Sequence, residues 1–130
     1  MKIIYKLIKL VTMEDHKGQI IEFLKASKLN FESGFYDISA FLAEEALHLY
    51  LVTSSLKYNV VVPWYLDFDA LLRILEKHEP RFKEIRKERA MIKFFDQIRI
   101  EFRYSVPMKI DKETAEKVIS FVESIINLDL

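Results

Sequence analysis

The chain contains no cysteine, which excludes a disulfide framework, a thiolate metal site and a cysteine nucleophile, and which fits a reducing, cytoplasmic setting. Glycine and proline are nearly as scarce. Only Gly18 and Gly34, and Pro63, Pro80 and Pro107, occur in 130 residues, where average usage would give about nine and about six or seven. Sandwiches, barrels and doubly wound sheets need many tight turns, and those turns lean on glycine and proline, so a few long helices with few connections remain. An excess of one charge is missing too. Lys plus Arg and Asp plus Glu are both 20, which leaves no global field to hold a polyanion and little repulsion against self-association. No apolar run approaches the roughly 20 residues of a membrane span.

What the chain does have is 51% hydrophobic residues, enough to build one core in a single 15.5 kDa domain. Residues 1–13 set Lys2, Lys6 and Lys9 against Ile3, Ile4, Leu7, Ile8, Leu10 and Val11 at helical spacing. That predicts a short amphipathic helix packed on a bundle made by residues 14–130. Ile20, Phe23, Leu24 and Leu29 mark the next helix, with Gly34 placed to end it in a left-handed cap. Asp37 is expected to cap a central helix whose seam runs through Ile38, Phe41, Leu42, Glu45, Leu49, Val52 and Leu56. Its extra apolar groups at Ala46, Leu47 and Leu51 call for neighbours on more than one side.

The run Asn59–Leu66 carries three valines and a proline, and is therefore extended. Asp67 then caps a short helix with Phe68, Leu71, Leu72 and Leu75 inward. From Pro80 a long helix runs to about Tyr104 and buries Ile85, Met91, Ile92, Phe95, Ile98 and Phe102. Asp111 caps a last helix with Ala115, Val118, Ile119, Val122, Ile125 and Ile126 inside. The expected fold is all-α: an up-and-down antiparallel bundle of four to five long helices with one short inserted helix.

Catalytic signatures are mostly absent. Neither glycine neighbours a Lys-Ser or Lys-Thr pair, and no serine is flanked by glycines, which excludes a phosphate-binding loop, a dinucleotide fingerprint and a nucleophile elbow. His16, His48 and His78 are too far apart for a helical two-histidine metal site. Asp67-x-Asp69 reads as a helix cap with a first-turn acid. Glu44 and Glu45 point about 100° apart on a helix, one to solvent and one to the seam, so a shared acid/base role is not expected. The most basic stretch, Lys77 to Lys93, holds seven cations against Glu79, Glu84 and Glu88, and reads as a solvated face with ion pairs such as Glu79 with Lys83. No cofactor and no metal is indicated.

The segment Phe35-Tyr36-Asp37-Ile38-Ser39-Ala40-Phe41-Leu42-Ala43-Glu44-Glu45-Ala46 resembles the second helix of the HEPN family, small helical bundles named for higher eukaryote and prokaryote nucleotide-binding domains. Pro63, Asp67-Phe68 and Leu71-Leu72 resemble the family's proline, turn and short helix, Arg103-Tyr104 its Arg-Tyr pair, and Ala115 the start of its last helix. The resemblance covers about Glu14 to Leu128. It implies ribonuclease activity in members that carry an Arg and a His with four to six residues between them. Here Met108, Lys109 and Ile110 hold the positions reachable from Arg103, and no histidine follows His78. Arg73 and His78 match that spacing, but about 140° apart on the short helix. Leu66 replaces the histidine that many members carry before that helix.

The resemblance therefore implies a non-catalytic module, homodimeric and paired with a small nucleotidyltransferase, that helps bind a nucleotide or substrate through Arg103, Tyr104, Glu45 and Asp37. Its alternative is a HEPN-type ribonuclease acting as the toxin of a toxin–antitoxin pair, with RNA as substrate.

Overall fold

The computed structural model describes residues 2–63, 65–103 and 108–126. Among them are six helices and no strand: α1 (Lys2–Glu32), α2 (Tyr36–Lys57), α3 (Phe68–Glu76), α4 (Arg81–Arg86), α5 (Arg89–Arg103) and α6 (Lys112–Ile125). The expected all-α bundle is the observed one. Four helices are long and two are short.

Local chemistry sets most of the ends. Gly34 has φ of 82°, its N–H donates to Phe31 O at 3.1 Å, and Phe35 N–H donates back to Asn30 O at 2.8 Å. This is the paired left-handed termination that closes a helix at a glycine, as expected from the sequence. Asn59, at φ 60°, ends α2 in the same way, with Val60 N–H donating to Ser55 O at 3.1 Å. Asn tolerates this conformation better than most residues. Asp67 caps α3 by accepting from Ala70 N–H, and Asp111 caps α6 by accepting from Thr114 N–H, each at 2.8 Å. Gly34→Ala puts a side chain where φ disfavours one although no neighbour crowds it. It is expected to cost about 1 kcal/mol in a urea melt.

Helix α2 is central, in contact with α1, α3, α5 and α6. Its buried face differs from the expected seam. Ala40, Ala43, Ala46, Leu47, Tyr50 and Leu51 are fully or almost fully buried, whereas Ile38 is exposed and Phe41 and Leu49 lie at the flanks. A helix surrounded on most sides gains from small residues that let neighbouring backbones come close, and large side chains then fill the gaps between helices. The α1–α2 contact shows this. Ser27, buried in α1, donates to Ser39 O at 2.7 Å, while Leu29 is exposed where burial was expected.

Two further expectations need correction. Asp37 does not cap α2, because Phe35 occupies the cap position; Asp37 Oδ1 instead accepts Ile110 N–H at 3.0 Å and pins the chain entering α6. The long helix expected from Pro80 is broken. Lys87 and Glu88 bond back only three residues, and the ladder restarts with Ile92 N–H on Glu88 O at 3.0 Å. In an unbroken helix Phe82 would sit about 80° round from Ile92; the break lets both be buried.

The amino-terminal segment is not a separate helix. Helix α1 runs straight through Met13 for 31 residues, about 46 Å at 1.5 Å per residue. Its apolar side is not the one that packs on the bundle. Lys9 turns toward the bundle and donates to Asn59 Oδ1 at 2.9 Å and Lys57 O at 3.3 Å, cations being favoured at the carbonyl end of α2. Ile3, Ile4, Leu7, Ile8, Leu10 and Val11, which share an arc of about 160°, are all more than half exposed.

Candidate functional site

Charges gather where α2, α5 and the start of α3 meet. Glu44 is fully buried on α2, in phase with Ala40 and Leu47. Arg99 on α5 stands four residues after Phe95 and three before Phe102, so the period that buries those rings also carries its guanidinium inward. Arg99 Nη1 lies 3.1 Å from Glu44 Oε1 and 3.6 Å from Glu45 Oε1. The two carboxylates expected to diverge thus share one cation. Glu44 is the sealed one of the two, and Glu45, its side chain 24% exposed, is the one that water reaches.

Glu44 Oε2 accepts no hydrogen bond among the described residues. Burial, reinforced by Glu45 and opposed by Arg99, pushes the Glu44 carboxyl up to about 8. A group with no exposed surface does not reach a substrate, which leaves Glu44 an internal proton holder rather than an acid/base catalyst.

One turn before Arg99, Asp96 accepts Phe68 N–H at 3.0 Å, so α3 is held at two of its first free amides, by Asp96 and by Asp67. Burial raises Asp96 to about 6 against the lowering effect of that bond, with Asp67 and Asp69 adding to the rise and Arg99 opposing it. Asp96 also lines a cleft of about 350 Å³ together with Asp69, Arg73, Arg86, Arg89 and Lys93.

The basic stretch is only partly paired. Arg86 forks onto Glu76 at 2.9 and 3.1 Å, and Arg73 Nε donates to Asp69 at 2.8 Å. Glu79 pairs with Arg81 at 3.2 Å and accepts from Tyr58 OH at 2.6 Å, in place of the expected Lys83 partner. Arg81 also donates to Tyr50 OH and to Ile125 O and lies over the Phe82 ring, so this cation ties α2, α4 and the end of α6 together.

The histidines stay apart. His16 Nδ1 meets Thr53 Oγ1 at 3.1 Å, and because that hydroxyl donates to Leu49 O, the ring nitrogen must be the donor. His48 sets its ring edge-to-face with Phe68, and His78 stacks on Tyr58 at 4.3 Å. Arg73 and His78 are thereby committed to different partners. Among the described residues no group of three or more His, Asp or Glu converges as a metal site would require.

Of the residues expected to bind a ligand, Asp37 is engaged by Ile110 N–H and Glu45 lies beside Arg99. They stand eight residues, or about 12 Å, apart along α2 and share no cleft described above. Arg103 is the last residue of α5, four after Arg99. The Arg103 side chain and the whole of Tyr104 lie outside the described residues. Sequence reasoning missed Arg99 and Asp96, although a cation in phase with Phe95 and Phe102 is a signal in itself.

The bundle, its central α2 and the inserted short helices define a class of small helical domain. The HEPN domain family model matches residues 13–130, nearly the whole chain, and the protein belongs to the HEPN family. No curated protein and no solved structure gives a match. No helix among the described residues is long and apolar enough to cross a membrane.

Proposed function

We propose that this chain is a non-catalytic HEPN module of the cytoplasm that forms a homodimer and associates with a small nucleotidyltransferase, helping to bind a nucleotide or substrate. The observation that carries this reading is the lack of any histidine beyond His78, which removes the general acid/base from the end of α5, where the family's ribonucleases keep it. Glu44, which meets Arg99 one turn before that end, is sealed in the core. Association is supported by the outward apolar arc of α1. A cluster of exposed Ile, Leu and Val on one face is characteristic of a protein contact surface. Arg103, Tyr104, Glu45 and Asp37 remain the ligand-binding residues of this reading.

Light scattering of the purified protein, co-expression with a small nucleotidyltransferase from a neighbouring gene, and incubation with structured RNA test the reading together. A mass of twice 15.5 kDa, co-purification at low salt and intact RNA are expected. Leu7→Glu with Val11→Glu should abolish at least one of the two associations. A monomer that fails to co-purify overturns the reading. RNA cleavage lost in Arg103→Ala would establish the toxin-type ribonuclease instead.

A further inference from the structure

We propose that the cleft between α3 and the start of α5 binds the phosphates of a nucleotide-sized polyanion through Arg73, Arg86, Arg89 and Lys93. This rests on the reading of the chain as a binding module and gives that module a phosphate site away from Arg103.

The cations in this cleft outnumber the carboxylates that line it, so their mutual repulsion is only partly offset within the chain. Arg89 opens α5, where the helix dipole already presents positive charge, and no acidic residue follows it in the first turn. Lys93 sits one turn further on, and like charges four residues apart on a helix repel. Both side chains face the same cleft as Arg73 and Arg86. Asp69 and Glu76 hold Arg73 and Arg86 in place, while Arg89 and Lys93 have no ion pair among the described residues. The second carboxylate of the lining, Asp96, spends one oxygen on Phe68 N–H. Two anchored guanidiniums facing two unneutralised cations form a clamp that an anion with several charges completes, each charge-assisted hydrogen bond being roughly twice as strong as a neutral one.

The volume decides the size of that anion. About 350 Å³ lies near the lower end for small-molecule sites, enough for a di- or triphosphate with part of what it is attached to. An extended RNA backbone needs a long basic track, and a chain with 20 cations against 20 anions supplies none beyond this stretch.

Isothermal titration at about 50 mM salt with inorganic tripolyphosphate, ATP and adenosine tests the proposal. Tripolyphosphate and ATP are expected to bind at one site with affinities within about tenfold of each other, and adenosine at least tenfold more weakly. Arg89→Ala with Lys93→Ala should weaken both phosphate ligands at least tenfold. Both residues are exposed, so the double variant should keep the wild-type melting curve and oligomeric state. Arg89→Lys should retain most of the affinity. No binding of tripolyphosphate, binding unchanged in the double variant, or adenosine binding as tightly as ATP would each overturn the proposal. So would structured RNA binding through Arg89 and Lys93 when tripolyphosphate does not. Dimerisation and co-purification, measured on the same double variant, report separately on the module reading.

Discussion

The free energy of unfolding is expected to fall by about 3 kcal/mol between pH 5.5 and pH 8, the reverse of ordinary acid denaturation. The source is Glu44. Its carboxyl titrates near 4.5 in an unfolded chain and at about 8 in the folded one, because burial, with Glu45 beside it, outweighs the pull of Arg99. Between those values the folded state holds a proton that the unfolded state has released. The stabilisation is therefore complete below about 4.5 and is lost as pH rises through about 8. Asp96 acts in the same direction below about 6, with a smaller effect because water reaches it. Asp111 and Glu79, held below their usual range by Thr114 and by Tyr58 with Arg81, act in the opposite sense, but only at more acid pH. Urea melts at the two pH values measure the difference directly. Glu44→Gln keeps the shape and an acceptor for Arg99 while removing the titration, and should flatten the profile to within about 1 kcal/mol. A wild type equally stable at both values, or more stable at pH 8, would show that Glu44 is not the buried proton holder described here.

That internal cluster marks the boundary of what the sequence displays. Gly34, Asp67 and Asp111 act on backbone amides within a few residues of themselves, so their roles follow from local chemistry and hold in the structure. Phe68, Leu71, Leu72 and Leu75 recur on a helix covered from one side, and their burial is legible from spacing alone. The buried face of α2 is not, because with neighbours on most sides every phase is partly apolar and size rather than hydropathy selects which residue sits at the close contacts. Lys9 and Asp37 mislead for a related reason. Each has a plausible local role that is overridden by a partner about fifty or seventy residues away, Asn59 for one and Ile110 for the other. The pairing of Arg99 with Glu44 is of the same kind, since α5 and α2 come together only in the folded chain. The cleft was visible as charge and invisible as a site, because seven cations in a row of seventeen residues do not reveal which of them share a concavity.

Phe95→Ala is expected to lower the unfolding free energy by about 3–5 kcal/mol, and with it the melting temperature by roughly 10–20 °C. The Phe95 ring is fully buried in α5, 5.6 Å from that of Phe68 in α3 and 5.7 Å from that of Phe121 in α6. Removing it takes away contacts to two other helices at once, and neither partner ring can move in to fill the space without leaving its own helix face. Leu29→Ala is the matched control. It removes a large apolar side chain from the same kind of periodic pattern, but at a position 63% exposed, and should change stability by less than about 0.5 kcal/mol. The pair therefore tests the rotation of the helices as well as the depth of the core. A Leu29→Ala variant as costly as Phe95→Ala would mean that α1 turns its Leu29 face inward, and the Ser27–Ser39 contact that sets α1 against α2 would then have to break.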